Sequence, residues 1–97
     1  MSALSRTAQV LRALAGHNHN GLPNAAIAQA IGCSDPTTLR TLQQLAEAGL
    51  VERVPGEAKR WRMTPFLVQI AIAHQHEVAR EEQRLSDFNQ RYTRKPL

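Results

Sequence analysis

The sequence has little of what many small domains lean on. Among its 97 residues there is one cysteine, Cys33, so no intrachain disulfide can staple the fold. Cys33 falls just ahead of a helix start with no cationic neighbour to activate it, and it reads as an inert thiol rather than a sensor. Aromatic residues make up only 4 % of the chain, which leaves Leu, Ile, Val and Ala to build the core. There is no membrane-spanning run and no signal peptide, so a cytoplasmic location is expected. No nucleophile–base pair, glycine-rich phosphate loop or cluster of carboxylates is present, and a chain this short has little room for a buried catalytic cleft. These gaps argue against an enzyme and imply no cofactor. The four histidines do not make a metal site. His17 and His19 lie in a polar loop without a Cys or carboxylate beside them. His74 and His76, two residues apart, diverge by about 200° around a helix.

What the chain does have is positive charge, a formal net +4. Residues 1–65 carry seven Lys/Arg against four Asp/Glu, or +3, and residues 66–97 carry five against four, or +1. The excess therefore lies in the first two thirds, which favours an anionic partner for that part of the chain.

The most informative stretch runs from Ser34 to Arg53. Ser34 and Asp35 are N-cap types, Pro36 suits a first helical turn, and Gly49 suits the left-handed position just past a helix end. Between them Leu42, Leu45 and Gly49, with Thr38 and Thr41 alongside, share one helical face, while Pro36, Arg40, Gln43 and Glu47 share the other. Leu50–Val54 then alternates like a half-buried strand. Val54-Pro55-Gly56-Glu57-Ala58-Lys59 is turn chemistry, and Arg60-Trp61-Arg62-Met63 alternates again. The pair predicts an antiparallel hairpin that buries Trp61 and shows Lys59, Arg60 and Arg62 near its tip. Arginines on an outer strand would also discourage sheet-to-sheet association. A short amphipathic helix leading straight into such a hairpin is the core of a winged helix-turn-helix.

The remaining segments fit as support. Ser5 is expected to cap a first helix reaching about Ala15, with Val10, Leu11 and Leu14 inward, Arg6 and Arg12 outward, and Gly16 as its stop. Residues 17–21 form a polar loop and Leu22-Pro23 a short extended segment. Asn24 is expected to cap a second helix over Ala25–Ile31, with Ile27, Ala28, Ala30 and Ile31 inward. Thr64-Pro65 opens a long helix from Phe66 to about Tyr92, near 40 Å at 1.5 Å per residue. Its start is apolar all round, and Val78, Leu85 and Tyr92 then recur every seven residues with Phe88 between. Glu77/Arg80, Glu81/Arg84 and Asp87/Arg91 are spaced as helical ion pairs. A domain this small cannot cover that much apolar surface by itself, so a second copy is expected to, through Leu67, Ile70, Val78, Leu85, Phe88 and Tyr92. The organisation expected is a winged helix-turn-helix over 1–65, a dimerisation helix over 66–92 and a basic tail over 93–97. The fold class is mainly α with a small β-wing: three helices, a two-stranded hairpin and a long C-terminal helix.

One family carries the same residues in the same order. They are Thr7-Ala8-Gln9-Val10-Leu11-Arg12-Ala13-Leu14-Ala15, Gly21-Leu22, Ile27-Ala28-Gln29-Ala30-Ile31-Gly32, Thr37…Arg40…Leu42…Leu45, Gly49-Leu50-Val51-Glu52-Arg53 and Arg60-Trp61-Arg62-Met63-Thr64-Pro65. Over roughly residues 4–68 the chain resembles the N-terminal winged helix-turn-helix of the IclR family of bacterial transcription regulators. Family members usually continue into a large effector-binding domain. Only a helix follows here, so the resemblance implies no small-molecule ligand and points to a stand-alone regulator like those of phages and mobile elements.

The resemblance implies double-stranded DNA as partner, with the central helix in the major groove. Thr37, Arg40, Gln43 and Gln44 would then lie near base edges, where an Arg–guanine or Gln–adenine pair discriminates by about 1–3 kcal/mol. Leu39 could meet a thymine methyl. Lys59, Arg60 and Arg62, with Arg6 and Ser34, would hold phosphates. Three or four such contacts per subunit predict a log K against log salt slope of about −5 to −7 for a dimer. Two alternatives follow from the same residues. Arg40 is the single cation on the exposed face of the central helix, which suits a winged scaffold used for protein contacts. A metal-responsive repressor would need ligand spacing that the histidines and Cys33 lack.

Overall fold

In the computed structural model the chain is described over residues 1–95. Its elements in order are α1 (Ala3–Leu14), β1 (Leu22–Pro23), α2 (Asn24–Ile31), α3 (Asp35–Glu47), β2 (Val51–Val54), β3 (Glu57–Met63) and α4 (Pro65–Thr93). It divides into two units, Met1–Leu67 and the chain from Val68 onward.

In the first unit each helix end has a local cause. α1 starts earlier than expected: Ser2, not Ser5, is the N-cap, and its hydroxyl accepts the Ser5 N–H at 3.0 Å. Capping by Ser2 satisfies one of the free donors of the first turn, so Ser5 becomes a helical residue. α2 has no side-chain cap, and Asn24 is its first residue. The Asn24 side chain instead donates to the Asp35 carbonyl at 3.2 Å, fastening the start of α2 to the start of α3. α3 has the expected ends. Ser34 Oγ accepts the Thr37 N–H, and at the far end Gly49 N–H donates to Ala46 O and Leu50 N–H to Leu45 O. That pair of bonds, with Gly49 at φ +79°, is a Schellman motif.

The sheet has one more strand than the hairpin read from the sequence. β3 lies between β1 and β2, antiparallel to both, with Leu22 opposite Trp61 and Glu52 opposite Arg62. The strand bearing Arg60 and Arg62 is therefore central rather than an edge. Thr64 closes the unit by donating its N–H to Leu50 O and its hydroxyl to Gly49 O, so it ties β3 to the end of α3. The core gathers Val10 and Leu14 of α1, Ile27 and Ile31 of α2, Leu42 and Leu45 of α3, and Val51 and Trp61 of the sheet. Removing the side chain of a residue such as Leu42, which is fully buried, typically costs about 2–5 kcal/mol.

α4, described by itself, has no buried residue. Val78, Leu85, Phe88 and Tyr92 are all exposed, Leu85 and Tyr92 by about 70 %. Phe88 and Tyr92 touch with ring centroids 4.6 Å apart. Of the ion pairs expected on this helix, Glu81–Arg84 forms, at 2.6 Å. Asp87 accepts from Gln83 at 2.8 Å instead. Of the expected tail, Thr93 ends α4, and Pro96 and Leu97 lie outside the described residues.

Candidate nucleic-acid interface

α3 is seated by one face and open on the other. Thr38, Thr41, Leu42 and Leu45 are buried, whereas Pro36, Arg40, Gln43, Gln44 and Glu47 are exposed and Thr37 is half-buried. The Thr41 hydroxyl donates to Thr37 O at 3.0 Å, four residues back, which keeps that polar group satisfied against the core. Leu39 is half-buried and packs against the core. Arg40, Gln43 and Gln44 have no hydrogen-bond or ion-pair partner among the described residues, so their polar ends are uncommitted. Ser34 is occupied at both ends: it accepts from Thr37 N–H and its hydroxyl lies 3.0 Å from Thr37 Oγ1.

Beside this face α1 contributes Arg6. Ala3, Arg6, Thr37, Arg40, Thr41 and Gln44 line one shallow hollow of about 320 Å³. No carboxylate takes part in it. The sequence offered Arg6 as an outward residue of the first helix and as a phosphate contact; its placement in one hollow with Arg40 depends on how α1 crosses α3.

The wing is arranged differently from its sequence pattern. Arg60 folds back onto the polar loop, donating from Nε to Asn20 O at 2.9 Å and from a terminal nitrogen to Gly21 O at 3.1 Å. Arg62 donates to His19 O at 3.4 Å and pairs with Glu52 across the strands at 3.6 Å. Arg53 donates to Ala58 O and stacks its guanidinium 4.4 Å from the centre of the Trp61 ring. Lys59, near the tip, is exposed and has no partner among the described residues. The loop–wing bonds hold the His17–Gly21 loop against the sheet, a tertiary role the sequence could not reveal. Among the described residues no group of three or more His, Cys, Asp or Glu converges as a metal site, and no helix is long and apolar enough to cross a membrane.

Comparison with known proteins fits this geometry. The IclR helix-turn-helix domain model matches residues 3–55, which takes in α1, β1, α2, α3 and β2. The chain belongs to the IclR helix-turn-helix family. Within the family's relatives it is 40 % identical over 70 residues to the HTH-type transcriptional regulator TtgV of Pseudomonas putida, a match covering 72 % of this chain and 26 % of TtgV. The chain thus spans about a quarter of that relative's length. A crystal structure of an IclR transcriptional regulator from Alicyclobacillus acidocaldarius superposes with a TM-score of 0.61 at 26 % identity, over 70 % of this chain and 27 % of that one. A mutant of S. aureus MepR bound to an oligodeoxyribonucleotide gives 0.57 at 23 % identity, over 84 % of this chain and 62 % of that one, a likeness of fold.

Proposed function

We propose that this IclR-type domain is a sequence-specific binder of double-stranded DNA that acts as a homodimer in transcriptional regulation. The observation that carries the reading is the open face of α3. Its inner face is fixed in the core, while Arg40, Gln43 and Gln44 stand exposed and uncommitted on the outer one. A helix held this way can enter a major groove without giving up internal bonds, and the amides of Gln43 and Gln44 are groups that pair with base edges. Lys59 at the wing tip and Arg6 beside α3 would meet phosphates. Leu39, turned toward the core, is given no base. Family membership and the name of the relative TtgV support the regulatory part.

Homodimerisation is the second part of the proposal. Leu67 is half-buried, whereas Ile70, Val78, Leu85, Phe88 and Tyr92 of α4 are exposed, and the seven-residue recurrence of Val78, Leu85 and Tyr92 matches a helix-to-helix seam. A second copy of α4 would cover them. Use of the winged scaffold for protein contact alone is favoured by one observation: Arg40 is the sole cation on an exposed α3 face that also carries Glu47.

Selection of bound duplexes from a random library at two salt concentrations tests both parts. A two-fold symmetric motif, with weaker retention at the higher salt, is the expected result. No enriched motif, together with no retention of random duplex at micromolar protein and low salt, would refute the DNA reading and favour protein contact.

A further inference from the structure

We infer that the DNA backbone is anchored in the hollow between α1 and α3, where Arg6 and Arg40 share one phosphodiester, and that Arg60 and Arg62 of the wing hold none. The inference rests on the DNA-binding reading above and assigns within it which cations touch the backbone.

The hollow has the shape and chemistry of an oxyanion seat. Its volume of about 320 Å³ accommodates a phosphate group, and its lining holds two guanidinium groups, two hydroxyls and an amide but no acid. Neither arginine has an ion-pair partner among the described residues; the pairs that form there are Arg62–Glu52 and Arg84–Glu81. The Nε–H of Arg6 is buried and has no acceptor. A buried, unmade bond on a charged group is unfavourable, and so is a second guanidinium facing the same space without a counter-charge. A phosphate oxygen in the hollow relieves the second, through the remaining N–H groups of each guanidinium. Guanidinium groups suit this task because their fork matches phosphate geometry. Thr41 donates its hydroxyl to the helix backbone and Thr37 Oγ1 accepts from Ser34, so the charged donors in the hollow are the arginines.

The wing presents the opposite case. Arg60 makes two bonds to loop carbonyls, and Arg62 makes one such bond and an ion pair. Those bonds fix each guanidinium against the loop and occupy part of its five N–H donors.

The test follows the Arg6 Nε–Hε signal by NMR in the full chain. Titration with inorganic phosphate is expected to shift it saturably in the wild type and not in Arg40→Gln, and random duplex is expected to shift it in the wild type. In salt-titrated binding to random duplex, Arg6→Gln and Arg40→Gln should each weaken affinity roughly tenfold. Each should also flatten the log–log salt slope by about 0.9 per subunit, one phosphate's share. Because the phosphate is shared, the double variant should flatten it by the same amount rather than by twice as much, and Arg60→Gln should leave the slope unchanged. A wild type that binds duplex with an unmoved Arg6 signal overturns this assignment alone, as does a slope flattened as much by Arg60→Gln as by Arg6→Gln. A wild type that binds no duplex overturns the reading of function and this assignment with it.

Discussion

Adding one carbon at Gly21 should do far more harm than adding it at Gly49, although both glycines have positive φ. Gly21 sits at φ +68° where the polar loop enters β1, and Gly49 at φ +79° behind α3. At either site alanine carries the left-handed backbone cost of about 1–2 kcal/mol. At Gly49 the new Cβ meets nothing within 4 Å, so that cost is the whole effect. At Gly21 the Cβ would overlap the Trp61 carbonyl oxygen and lie 2.8 Å from Val54 Cγ2 and 2.9 Å from the Trp61 carbonyl carbon. Two of those neighbours are backbone and cannot rotate aside, so the Leu22–Trp61 pairing must open. Overpacking of this kind adds about 1–3 kcal/mol. The sum of roughly 2–5 kcal/mol is a large part of the 5–15 kcal/mol that typically stabilises a domain. The assay is urea and thermal unfolding of wild type, Gly21→Ala and Gly49→Ala in parallel. Each kcal/mol is worth about 4–8 °C in Tm at this size, so the two variants should be plainly resolved. Equal losses would show that backbone conformation alone governs Gly21, and the close approach of loop to sheet would have to be abandoned.

Other consequences can be checked with the same preparations. The Thr38 hydroxyl is buried without a partner, so Thr38→Val, which keeps the shape, should raise stability by about 1 kcal/mol in urea unfolding. Arg60→Ala removes two bonds to the loop and should cost about 1–2 kcal/mol, seen as faster amide exchange over His17–Gly21. Gln43→Ala and Gln44→Ala should relax base preference in a library selection while changing random-duplex affinity little, because the proposed docking sets them at base edges rather than at phosphates. Leu85→Glu should abolish the self-association proposed for α4, read by light scattering, without lowering the melting temperature of residues 1–67. Persistence of the dimer would remove Leu85 from the seam.

Much of this architecture could be read in the residues because its determinants are local. Ser34, Pro36 and Gly49 bound α3 through bonds spanning only a few residues, and the apolar face of Leu42 and Leu45 follows from helical period alone. The long run of α4 was legible for the same reason. What escaped was decided by contacts distant in sequence. β1 is only two residues long and has no pattern of its own, so its pairing with β3 exists only once the loop has folded back. Arg60 and Arg62 have the signature of exposed wing cations, yet besides Glu52 for Arg62 their partners are backbone carbonyls about 40 residues earlier, which no side-chain pattern announces. The hollow shared by Arg6 and Arg40 likewise needs the crossing of two helices. Ser2 was missed as a cap because Ser5, three residues on, offers an equally good local signal.

The stacking of Arg53 on Trp61 also has a spectroscopic consequence. Trp61 is the chain's single tryptophan, 3 % exposed, with a guanidinium 4.4 Å from its ring centre. Its emission therefore watches the three-stranded sheet. Circular dichroism, dominated by helix, watches mainly the rest. Recording both signals through one denaturation run would reveal whether the wing loosens before the helices do, with no label attached to the protein.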